Sequence, residues 1–160
     1  MDAVHVHLAL NHVPVVGLGF ALLTLIAGLA RGDERIQRLG LAFLVVIGVT
    51  AFAVRLTGEG AEEAVENLPG VTETVIGRHE QAANLAAVFV SALGLVALAG
   101  VLAWRRGAPR WFHAGMLALV IAGGAMMAYA ANLGGQIRHT EIRGAVGAAA
   151  AEAESERSDD

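Results

Sequence analysis

The polar residues divide the chain into four apolar runs: Val13 to Ala30, Leu39 to Val54, Ala82 to Trp104 and Trp111 to Leu133. A helix that crosses a bilayer needs roughly 20 apolar residues at 1.5 Å rise each. The first, third and fourth runs meet that length. Leu56 and Thr57 extend the second past Arg55, whose long stem lets its charge reach the interface. Helices are the only open-chain structure that satisfies its own backbone inside lipid. Small residues that suit close helix packing recur in the runs, among them Gly17, Gly28, Gly94, Gly100, Gly123 and Gly124. The expected fold is an all-α, integral membrane four-helix bundle of up-and-down topology. It forms one domain over residues 1–143, with spans at about 13–30, 39–57, 82–104 and 111–133, followed by an acidic, flexible tail over 144–160.

The polar stretch between the second and third runs predicts more helix. Gly58 to Asn67 reads as a continuation of the second span, ended by Pro69-Gly70. Thr72 has the character of an N-cap with Glu73 in the first turn, and Val71 and Ile76 sit at hydrophobic-staple spacing. The third helix is expected from about Glu73 to Arg105, and the fourth to continue to about Arg143. Both would overhang the membrane on one side.

Composition agrees and narrows the function. Hydrophobic residues make up 56% and charged residues 16%, below the roughly 25% charged of soluble domains, with a mean hydropathy of +0.59. That excludes a soluble enzyme, a disordered chain and a nucleic-acid binder. Cysteine is absent, so disulfides, thiolate metal sites and iron–sulfur clusters are excluded. Lysine is absent too, which removes Schiff-base chemistry.

Arginine sets the expected orientation. The loops 31–38 and 105–110 carry three arginines each and lie on one side, expected to be the cytoplasmic side of a bacterial inner membrane. Both termini and the 58–81 loop then face outward, to the periplasm. The outward side carries thirteen of the fifteen carboxylates. Trp104 and Trp111 flank the second arginine loop, where an aromatic belt belongs. No basic residue precedes the first run, so that run is expected to be a retained span rather than a signal peptide.

Five of the six histidines fall on the outward side of this topology. His12 begins the first span, His79 precedes the third by one turn, and His139 follows the fourth by under two turns. Glu59, Glu62, Glu63 and Glu66 follow the second. Three helices thus bring a histidine, and the fourth brings carboxylates, to one depth. Two kinds of cofactor suit that set. One is a non-haem transition metal (iron, manganese or zinc) held by His12, His79 and His139 with Glu62 or Glu59. The other is a single haem b with two axial histidines from different helices. Bundle di-metal sites use Glu-x-x-His, which this chain lacks. Glu63, Glu66, Glu80 and Glu141 are expected as supporting or charge-pairing residues. Arg55, Arg78 and Arg138 are candidate propionate partners, and the local glutamates also account for them. Asn11 is expected to cap the first helix or orient a ligand. Asn132 and Gln136 are expected to bridge helices or bond a ligand. His5 and His7 are expected to be solvated, and His113 to be interfacial.

The blocks His7-Leu-Ala-Leu-Asn-His12-Val-Pro-Val-Val-Gly17, Thr57-Gly-Glu-Gly-Ala-Glu-Glu63, Leu68-Pro-Gly-Val71, His79-Glu80 and Gly134-Gly-Gln-Ile-Arg-His139-Thr-Glu141 resemble those of a group of small uncharacterised bacterial four-span inner-membrane proteins. The resemblance covers about residues 4–143. It implies the four-span fold and carries no established activity.

The leading functional expectation is a membrane-embedded metal or haem protein with its cofactor at the outer face, serving redox chemistry or electron transfer with a redox partner. A non-catalytic small subunit of a larger membrane complex is the second reading, and a small metal-handling transporter the third. No charged residue lies mid-span, which argues against an ion path. An oligomer stays open.

Overall fold

The computed structural model describes residues 3–66, 71–104, 107–139, 142 and 143. The expected break at Pro69-Gly70 and the tail over 144–160 lie outside the described residues. Among the described residues six helices follow in order: α1 (Ala3–Leu10), α2 (His12–Arg31), α3 (Glu34–Leu56), α4 (Gly58–Glu63), α5 (Glu73–Ala103) and α6 (Arg110–Arg138). Four helical stretches are long and apolar enough to cross a membrane: Val4–Arg31, which joins α1 to α2, then Glu34–Leu56, Glu73–Ala103 and Arg110–Arg138. Large apolar side chains such as Phe20, Leu23, Val49, Leu95 and Ile121 are exposed around the outside. Such a surface requires lipid around it, so the chain is a membrane protein with a bilayer as its environment.

The four long helices close into a ring, α2 against α3, α3 against α5, α5 against α6 and α6 back against α2. Each turns a stripe of buried residues inward, and in α2 and α6 these recur at alternating steps of three and four. In α2 the stripe is Pro14, Leu18, Ala21, Leu25 and Gly28, and in α6 it is His113, Met116, Val120, Gly123, Met127 and Ala130. That spacing keeps one face of a helix toward its partners. The tightest crossing is α3 on α5. A Cβ on Gly48 would lie 2.8 Å from the Gly94 Cα, and the Ser91 hydroxyl donates to the Gly48 carbonyl at 3.2 Å.

Local signals fix the helix ends. Gly32 takes φ 64° and its N–H bonds the end of α2, while the Asp33 N–H reaches the Gly28 carbonyl at 3.0 Å. This pair of bonds satisfies the last α2 carbonyls. Asp33 then caps α3 by accepting from the N–H groups of Arg35 and Ile36. The polar segment 34–38 is therefore helix, and α3 begins before the apolar run. Thr72 caps α5 as expected, accepting from the Val75 N–H. The continuation after the second span is α4, a separate short helix beyond a bend at Thr57. α6 stops at Arg138 rather than near Arg143. The Arg143 guanidinium turns back instead, donating to the carbonyls of Gln136 and Ile137 and covering the open helix end.

One end of the bundle thus carries Arg31, Arg35, Arg38 and Arg110, with Trp104, Trp111 and Phe112 packed ring against ring. The other, called the histidine end below, carries α1, α4 and the start of α5.

Candidate histidine site

The histidine end is built by the same inward stripes that build the core. Stepping back along α2 from Pro14 by three and then four residues gives Asn11 and His7. Stepping back along α5 from the buried Ala86 by seven gives His79. Both imidazoles are partly buried. The His7 Nδ1 lies 3.2 Å from the Val54 carbonyl and 3.3 Å from the Thr57 hydroxyl, both at the end of α3. Thr57 has its own hydroxyl directed at the carbonyls of Ala53 and Val54, so it accepts from His7. The His79 Nδ1 lies 3.0 Å from the Ala130 carbonyl of α6.

A carbonyl only accepts, so each neutral ring donates from Nδ1 and keeps its lone pair on Nε2. That is the tautomer of a metal-ligating histidine, whose other nitrogen is usually anchored by a carbonyl or carboxylate. Glycines flank both rings. A Cβ on Gly134 would lie 2.9 Å from the His79 Cε1, and one on Gly58 3.9 Å from the His7 Cε1. The two imidazoles thus come from different helices, each anchored through Nδ1 to a carbonyl of a third and a fourth helix.

Of the three histidines expected to meet, only His79 is partly buried. His12 is exposed on α2, and His139 is the exposed C-cap of α6. Among the described residues no three His, Asp or Glu side chains form a group able to hold a metal ion. The physical reason is helical phase. His12 lies one residue from Asn11, hence about 100° off the inward stripe, and His139 lies where the helix has ended. His7, expected to be solvated, is instead partly buried, and it lies where the stripe Pro14, Leu18, Ala21, Leu25 and Gly28 extended backwards puts it.

Glu59, Glu63 and Glu66 are exposed, and Glu62 is partly buried. Burial pushes the Glu62 carboxyl above its ordinary value, helped by the charges of Glu80, Glu66 and Glu59. Glu80 follows His79 on α5. Glu80, Arg78 and Arg138 are exposed. Arg55 donates from Nε to the Asn84 Oδ1 at 2.5 Å, which pairs α3 with α5. Asn132 bonds Gln136 along α6, so this pair does not bridge helices. Asn11 occupies the N-cap position of α2 without a capping bond, and its Oδ1 is buried with no partner. Glu141 lies outside the described residues.

His113, expected at the interface, lies in the first turn of α6 and is buried in the bundle. Its side chain is 1% exposed inside the opposite end of the bundle, with Nδ1 3.4 Å from the Pro109 carbonyl and Nε2 buried and unpartnered.

No protein-family model, curated protein or solved structure matches the chain.

Proposed function

We propose that the protein is a bacterial inner-membrane electron-transfer protein that holds one haem b between His7 and His79. The observation that carries this reading is the shared anchorage of the two rings. Each Nδ1–H is tied to a backbone carbonyl of a neighbouring helix, and each Nε2 keeps its lone pair. Two imidazoles suit haem, because the macrocycle supplies the remaining four donors. A bare iron, manganese or zinc ion needs a third protein ligand, and Glu62 is the nearest in kind. When bound, haem supplies a one-electron redox centre. The chain's own part is to orient both rings and to hold them in a partly buried setting.

The positive-inside rule places the arginine end in the cytoplasm and the histidine end outside, toward the periplasm. A redox partner would therefore meet the protein from that side.

The test is the absorption spectrum of protein purified in mild detergent, oxidised and then reduced with dithionite. A Soret band and reduced α and β bands are expected. They are lost in His7→Ala and in His79→Ala, and kept in His12→Ala and His139→Ala. A featureless spectrum with stoichiometric metal by elemental analysis would replace haem with a non-haem ion. Neither bands nor metal, together with a defined co-purifying partner and full function of His79→Ala, would overturn the proposal in favour of a non-catalytic subunit.

A further inference from the structure

α1 differs from the other helices at the histidine end in how it is held. None of its side chains over residues 4–10 is fully buried, whereas α2 buries a continuous stripe. It packs chiefly on α4, which is itself short, and on the adjoining ends of α2 and α3. Among its ties is a polar one, the pair of contacts from His7 to Val54 and Thr57. Where α1 meets α2 the helix is weakened twice. Pro14 has no N–H, so the Leu10 carbonyl loses its helical partner, and the proline ring crowds that same carbonyl. Asn11, between them, makes no capping bond and leaves its Oδ1 buried and unpaired. A buried acceptor without a donor makes this junction costly to keep closed.

We propose that α1 is a hinged arm that opens about Asn11–Pro14 to admit the cofactor at the histidine end and closes by latching His7 onto Val54 and Thr57. The inference rests on the cofactor reading above for what is admitted. The hinge itself stands on the geometry of α1. The latch uses Nδ1, so closing leaves Nε2 for the ligand while fixing the ring. The arm thus brings a preoriented imidazole to the histidine end of the bundle. Ordering one ligand only upon closure lets a rigid macrocycle enter a bundle whose other helices are tightly crossed.

The chain has no cysteine of its own, so two introduced ones report cleanly. Leu8→Cys on α1 and Gln81→Cys on α5, both exposed, take spin labels for pulsed distance measurement in the full-length protein. Without cofactor, two distance populations are expected, and haemin collapses them to the shorter. Thr57→Val removes one of the two latch contacts and raises the longer population about two- to tenfold, the effect of one net hydrogen bond. Pro14→Ala restores the missing N–H, lowers the longer population and slows haemin uptake. A single narrow distance that neither haemin nor Thr57→Val alters, in protein that still binds haemin, overturns the arm and leaves the cofactor reading standing. A population shift in Thr57→Val without haemin binding sustains the hinge and sinks the cofactor reading instead.

Discussion

Gly134→Ala is the sharpest single probe of the histidine site. The new Cβ would sit 2.9 Å from the His79 Cε1, 3.2 Å from Nδ1 and 3.5 Å from Nε2. Ordinary contacts begin near 3.4 Å, so the ring must withdraw from α6 by at least about 0.5 Å. The carbonyl that anchors the ring belongs to Ala130, one turn earlier on the same helix. Moving off Gly134 therefore moves the ring off its anchor, and a 3.0 Å bond is stretched to the limit of a hydrogen bond. Loss of that bond costs about 0.5–1.5 kcal/mol, and overpacking a further 1–3 kcal/mol or so, shared between stability and ring placement. Removing the group that orients a ligand histidine typically weakens binding about 10- to 100-fold. The assay is haemin titration of the purified protein at the Soret band, with circular dichroism to verify the helices. Gly124→Ala is the control, because its Cβ would meet nothing within 4 Å. Unchanged haemin affinity in Gly134→Ala, with the fold intact, would refute the anchored-ring argument.

The remaining predictions concern stability. Gly48→Ala places its Cβ against the Gly94 backbone, which cannot step aside, so α3 and α5 must separate. A loss of about 1–3 kcal/mol is expected in detergent unfolding, against no loss for Gly19→Ala, which meets open space. Equal stability of the two would remove the close crossing as a feature of the bundle. Glu62 titrates upward on folding, so the folded state binds its proton more tightly than the unfolded state does. The ionised group then costs stability at neutral pH, and the cost fades as pH falls through the folded value. Glu62→Gln in cofactor-free protein should raise the melting temperature at pH 7, with the gain gone below the unfolded value of about 4.3. A gain that grows on acidification would reverse this sign.

Much of the molecule is legible in its residues. Four apolar runs bounded by charge can only be lipid-spanning helices, because nothing else satisfies a backbone in hydrocarbon. Thr72 followed by Glu73 announces the start of α5 by a local hydrogen bond that needs no tertiary partner. Gly32-Asp33 is also a local signal, and it turns α2 into α3 within two residues. The limits of such signals show at Thr57, where a helix expected to continue bends, and at His139, where one expected to run on stops.

The identity of the histidine pair belongs to a different level. Depth in the membrane follows from counting residues, and by depth His12, His79 and His139 are equivalent. Direction follows from phase, at 100° per residue, and one position turns a side chain from the core to the lipid. The inward stripes of α2 and α5 carry that phase, so His7 and His79 were readable once each stripe was extended past the apolar run. What no single helix contains is the partner. The carbonyls of Val54 and Ala130 lie on α3 and α6, 47 and 51 residues from the rings they anchor. They become the supports of those rings only because the bundle closes with α1 beside α3 and α5 beside α6. Sequence alone thus determined the membrane environment and the four helices. Packing between helices decided which carbonyls anchor His7 and His79, since it alone joins residues whose separation along the chain carries no local signal.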